Sequence, residues 1–165
     1  MLIGLDRPEV VDALILVGGS ASGVPDLSKQ TAGFTGPDFA GYYQQVLDEL
    51  FAPGFAQREQ GRWVRALFTA GQPALSGRCI AEIYRARSEC DMRARLPDLH
   101  LPTLVINGEY DVSLAGGTET ARRVPGAKHV VIPDTGHACN IEDPAAFDAA
   151  VLSFLAEIGL YAGTE

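Results

Sequence analysis

Two short segments toward the C-terminus constrain the fold of this chain more than any other feature. LPTLVINGEYD ends at Asp111, and AKHVVIPDTGH ends at His137. Each is an apolar, β-branched run that halts at an ionisable side chain, as parallel strands buried on both faces do. In open α/β sheets, ligands and reacting groups gather just beyond the carboxyl ends of such strands. The pattern predicts a carboxylate and an imidazole on loops that follow neighbouring strands.

The rest of the chain fits the same architecture. Met1–Leu5 reads as a helix end closed by Asp6, Arg7 and Pro8. Asp12–Gly19 is a near-continuous apolar run stopped by glycines, which predicts a central parallel strand, and Gly18–Pro25 a loop at its carboxyl end. Phe39, Tyr42, Tyr43, Val46, Leu47 and Leu50 recur at helical spacing, and Pro53-Gly54 breaks that helix. A second helix is expected through Trp63, Val64, Leu67 and Phe68 to Gly71, and a third from about Pro73 through Ile80, Ile83 and Tyr84 to Arg87. A crossover needs only one helix. Three amphipathic helices between two strands predict a lid-like excursion over a site, with a plain helical subdomain as the other reading. Strands over Leu99–Gly108 and Ala127–Pro133 flank a helix over Gly116–Val124. Asp143-Pro144 then opens a last helix as N-cap and first-turn proline. Its Phe147, Val151, Phe154, Leu155 and Ile158 are expected to face the sheet, with Gly159 as its stop and a frayed tail to Glu165.

A formal net charge of −8 over 165 residues, with Lys and Arg scattered, excludes a basic face for a nucleic-acid backbone or an anionic membrane. No run approaches the ~18 apolar residues of a membrane helix, and the N-terminus lacks signal-peptide character. Cys79, Cys90 and Cys139 are odd in number and lack metal-ligand spacing, which predicts reduced thiols and, with no leader or membrane run, a cytoplasmic location.

His137 is the leading general base. Its Gly-His loop after a buried strand can lift an imidazole to the sheet edge, where it can take and return a proton near neutrality. Asp111 would hold that ring, or else cap the following helix; Glu109 is an alternative acid on the residues alone. His100 and His129 lack this setting and read as structural. Gly18-Gly19-Ser20-Ala21-Ser22-Gly23 follows a strand, but its register gives no G-x-S-x-G and no amphipathic helix follows at once. It reads as the entry to the helical insertion. Cys139 reads as a packed thiol, and Cys79 and Cys90 need no role. Asn140, Ile141 and Glu142 are expected to fix the histidine loop. Trp63, Tyr42, Tyr43 and Phe68 either line an acyl or aromatic pocket under the lid or pack helix against helix.

Three segments together resemble the α/β-hydrolase family: Pro102–Asp111, Val124–Phe147 and Arg7–Gly19. The resemblance implies a partial α/β-hydrolase fold, three parallel strands of the C-terminal half of the sheet with flanking helices and a helical cap. It places the core at residues 1–23 and 91–165 and the cap at 24–90. It also assigns the acid to Asp111 rather than Glu109, beside His137, in a Ser–Asp–His relay. No G-x-S-x-G occurs in the 165 residues, and the family's serine would fall several residues before Met1. The implied function is an esterase- or lactonase-like hydrolase of small-molecule carbonyl substrates, working through a serine acyl-enzyme with no metal or organic cofactor. Present as a C-terminal fragment, it is expected to be inactive alone. A bare strand over Asp12–Val17 predicts poor solubility or self-association. The alternative is a non-catalytic ligand-binding or assembly module that keeps the cap cavity and associates through that strand.

Overall fold

In the computed structural model, residues 1–21 and 27–162 are described. The chain opens with α1 (Leu2–Asp6) and a 3-10 turn at Pro8–Val10, then enters β1 (Leu14–Val17). This strand is shorter than Asp12–Gly19 because its ladder starts where Leu14 N–H donates to Pro102 O, and Gly18 turns left-handed at φ 58°. The loop expected over Gly18–Pro25 is described as far as Ala21; the rest of it lies outside the described residues.

Between β1 and the next strand lie four helices among the described residues: α2 (Ser28–Thr35), α3 (Phe39–Leu50), α4 (Glu59–Gly71) and α5 (Gly77–Ser88). The first adds to the three that periodicity predicts. Phe34 is its one buried side chain, so it shows little amphipathic signal, and its backbone lies close on Tyr42 at Gly33 and on α5 at Gly77. Phe34 packs edge-on against Tyr42 at a centroid distance of 4.9 Å and against Tyr84 at 5.4 Å. Ser76 caps α5 by accepting from Cys79 N–H, which moves the start of this helix beyond the Pro73 turn.

After a 3-10 turn at Leu96–Asp98 come β2 (Thr103–Gly108), α6 (Leu114–Arg123), β3 (Lys128–Ile132), α7 (Cys139–Glu142) and α8 (Pro144–Glu157). Among the described residues the strands form one parallel sheet in the order β1-β2-β3. The register pairs Leu14 with Thr103 on one side and Val105 with His129 on the other. Every residue of β2 is buried, as a central parallel strand requires. Leu104 and Ile106 pack with Ile132, Cys139 and Phe154 under α8. The alternate face, carrying Val105 and Asn107, lies under α6. Asp143 caps α8 by accepting from Ala146 N–H at 3.0 Å, as its sequence predicts.

Candidate active site

The carboxyl ends of β2 and β3 converge because glycine lets their loops touch. Tyr110 N–H donates to Thr135 O and Glu109 N–H to Ile132 O, which ties the two loops backbone to backbone. A Cβ at Gly108 would collide with the carbonyl oxygens of Thr135 and Gly136. Asp134 adopts a left-handed φ of 54°, and its N–H donates to Glu109 Oε2 at 3.0 Å. Glu109, the alternative acid, therefore braces the turn that presents the histidine and does not reach its ring.

The histidine loop is then pinned from the helical insertion. His137 N–H donates to Leu50 O, the last residue of α3, at 2.8 Å. The buried carboxylate of Glu142 accepts from Gly136 N–H at 2.7 Å and from Ala52 N–H at 2.8 Å. One side chain thus joins the loop, α7 and the exit of α3, as the expected bracing role for Glu142 requires. Glu142→Ala leaves two buried N–H groups unmet and is expected to cost about 3 kcal/mol in urea unfolding. Glu142→Gln retains one acceptor and is expected to cost about half as much. Equal, small losses for both variants would show that the bridge is unimportant.

Asp111 and His137 meet. His137 Nδ1 lies 2.9 Å from Asp111 Oδ1, with the carboxylate side chain fully buried and the ring 37 % exposed. Asp111 also accepts from Asn107 Nδ2 and from the Ser113 N–H and hydroxyl, each at 2.8 Å. Burial pushes this carboxyl up, but the hydrogen bonds from His137, Asn107 and Ser113 outweigh it and hold the group well below the usual carboxylate range. It is ionised at neutral pH and fixes Nδ1 of His137 as the donor. That leaves the lone pair on Nε2 of the half-exposed ring. Gly18, at the end of β1, forms the bed for this ring: a Cβ there would stand 2.8 Å from His137 Cε1.

The other expected residues take lesser places. Cys139 is buried against Leu104 and Phe154, and burial pushes its thiol up, away from reactivity. His100 is exposed. Ser20 lies against Gly116 of α6, and Ala21 N–H donates to Thr120 Oγ1 at 3.0 Å. Tyr42 belongs to the Phe34 cluster, and Trp63 is 65 % exposed. Tyr43 and Phe68, with Leu67 and Leu75, line an open apolar hollow of about 420 Å³. A larger groove of about 970 Å³ runs between the end of α3 and α4, past Phe51, Arg62 and Arg65. Neither Asp111 nor His137 is on its wall.

Sequence reasoning did not single out Asn107 or Ser113, and it read His129 as structural. His129 Nε2 lies 3.0 Å from Asn107 Oδ1, and burial lowers its proton affinity, so the ring is neutral near pH 7. An amide inside an otherwise apolar strand was the available signal for this network.

A parallel sheet with helices on both faces, and an acid and a histidine paired beyond its neighbouring strands β2 and β3, define an α/β hydrolase. The comparisons agree. Residues 69–162 match the TAP-like protein family, and the chain belongs to that family of α/β hydrolases. The enol-lactonase of Burkholderia xenovorans LB400 superposes with a TM-score of 0.84 at 25 % identity, over 93 % of this chain and 60 % of that one. A hydrolase from Pseudomonas aeruginosa PA01 gives 0.82 at 31 % identity, over 93 % and 59 %. Mouse protein ABHD14A is 42 % identical over 55 residues, 33 % of this chain and 22 % of its own length. The chain therefore spans about three fifths of the two solved structures and about a fifth of the mouse protein.

Proposed function

We propose that the chain is the C-terminal portion of an esterase- or lactonase-type hydrolase, in which His137 is the general base and Asp111 the acid that orients it. The observation that carries this is the 2.9 Å contact between a buried, ionised carboxylate and Nδ1 of an accessible imidazole beyond adjacent strands. In this reading the core comprises residues 1–23 and 91–165, and the helices within 24–90 are its cap. The likeness to an enol-lactonase supports a small-molecule ester or lactone as substrate.

The 165 residues hold no G-x-S-x-G, so the reading assigns the attacking serine hydroxyl to residues beyond them. Its proton passes to His137 Nε2 as the oxygen bonds to the substrate carbonyl carbon. The imidazolium, held by Asp111, returns that proton to the departing alkoxide as the C–O bond breaks. Water then attacks the acyl-enzyme by the same route, releasing the acid and restoring the serine. These steps require no metal or organic cofactor. No helix among the described residues is long and apolar enough to cross a membrane. Three free thiols fit a reducing compartment, which the reading takes to be the cytoplasm.

The 165-residue polypeptide alone is expected to turn over p-nitrophenyl esters at background rate. Co-expression with a segment carrying a G-x-S-x-G strand–helix unit is expected to restore turnover. Robust activity of the polypeptide by itself would overturn the assignment of the nucleophile. A second reading, assembly through the strand at Asp12–Val17, is favoured by Ile15 and Val17, 36 % and 38 % exposed on a strand that pairs only with β2 among the described residues. Sedimentation that shows concentration-dependent association together with absent turnover would select it.

A further inference from the structure

Asn107 is fully buried, and nothing in the hydrolytic steps yet uses it. Resting on the roles given to Asp111 and His137, we propose that Asn107, with its amide braced by His129, is a positioning residue that holds the ring tautomer of His137 through Asp111.

The geometry works outward from the carboxylate. Asn107 Nδ2 lies 2.8 Å from Asp111 Oδ2 and 3.1 Å from Ser113 Oγ, while its Oδ1 lies 3.0 Å from His129 Nε2. An ionised carboxylate only accepts, so the amide must turn its NH₂ toward Asp111. Oδ1 then faces β3 as an acceptor, and His129 Nε2 must carry the hydrogen. On the other side, Asp111 Oδ1 accepts from His137 Nδ1. The two imidazoles therefore hold opposite tautomers, His129 as Nε2–H and His137 as Nδ1–H, on either side of one amide and one carboxylate.

Sheet register makes this arrangement possible. Val105 pairs with His129, and Asn107, two residues further along β2, shares their face. α6 crosses the amide at Gly117, where a Cβ would collide with Asn107 Oδ1. The packing therefore leaves the amide one place: the carboxylate draws its NH₂ end, and His129 meets its Oδ1 end with a donor. If the donor at 129 is removed, the buried Oδ1 loses that partner and the amide is held only from its NH₂ end. The partner of the carboxylate is then less firmly placed, and the hold of Asp111 on Nδ1 of His137 weakens.

The chain contains three histidines, so long-range ¹H–¹⁵N spectra of the labelled protein resolve three imidazoles. At a pH where the rings are neutral, His129 is expected as Nε2–H and His137 as Nδ1–H, each favoured about tenfold. His129→Leu and Asn107→Leu are expected to reduce the preference at His137 at least about threefold. His129→Gln, whose NH₂ can replace Nε2–H, is expected to restore it. His129 as Nδ1–H in the native chain would overturn the proposal, and so would a His137 tautomer that is unchanged in folded variants with lowered Tm. If the leucine variants do not fold, the native and His129→Gln spectra decide. The spectra need no turnover, so a failure of the hydrolase reading is distinguishable from a failure of this one.

Discussion

Replacing His137 with alanine is expected to lower kcat/KM for ester hydrolysis by about 10⁴-fold or more in an assembly that carries the attacking serine. The loss should fall on kcat, with KM little changed. The ring accepts a proton only as the tetrahedral intermediate forms, so its removal takes away an interaction made in the transition state and not in substrate binding. Its surroundings also predict that the protein survives the change. The ring is 37 % exposed, and the loop is held by groups other than this side chain: His137 N–H on Leu50 O and Gly136 N–H on Glu142. The variant should therefore fold with near-native stability. A loss below about tenfold would remove His137 from the general-base role.

Gly108→Ala is expected to be the most damaging single methyl group in the sheet, costing about 3 kcal/mol or more in urea unfolding. Overpacking is usually relieved by side-chain rotation, but here the added carbon meets the backbone oxygens of Thr135 and Gly136. β2 and the histidine loop must separate, which breaks the Tyr110–Thr135 backbone bond and moves Asp111 away from His137. Gly126→Ala is a useful control, since φ there is 73° but nothing lies within 4 Å. It should cost only the left-handed backbone strain of about 1 kcal/mol. Equal effects of the two substitutions would show that the close approach at Gly108 is not what joins the strand ends.

Although only β2 is buried throughout and β3 leaves Lys128 and Val131 exposed, the acid–histidine contact was legible in the sequence because both strands are written as apolar, β-branched runs. The first polar residues after them mark where the chain emerges. Asp143-Pro144 was legible for a similar reason, since capping depends on local chemistry alone. The short helix Ser28–Thr35 was not, because it buries only one side chain and its period is nearly silent. Trp63 and Leu67 repeat with helical spacing yet stand 65 % and 53 % exposed. Periodicity reports that a helix has an apolar face but not what that face meets. The link from His129 through Asn107 to Asp111 depends on which residues of β2 and β3 stand side by side. That register is set by the whole sheet and is not written in either strand.

The central claim is that Asp111 and His137 act as one unit, and a double-mutant cycle tests it most directly. In the serine-bearing assembly, kcat/KM would be measured for the native protein, Asp111→Asn, His137→Ala and the double variant. With the ring gone, an orienting carboxylate has nothing left to orient, so the double variant should match His137→Ala within about threefold. Losses that multiply would mean that the two residues act independently, and would contradict the account.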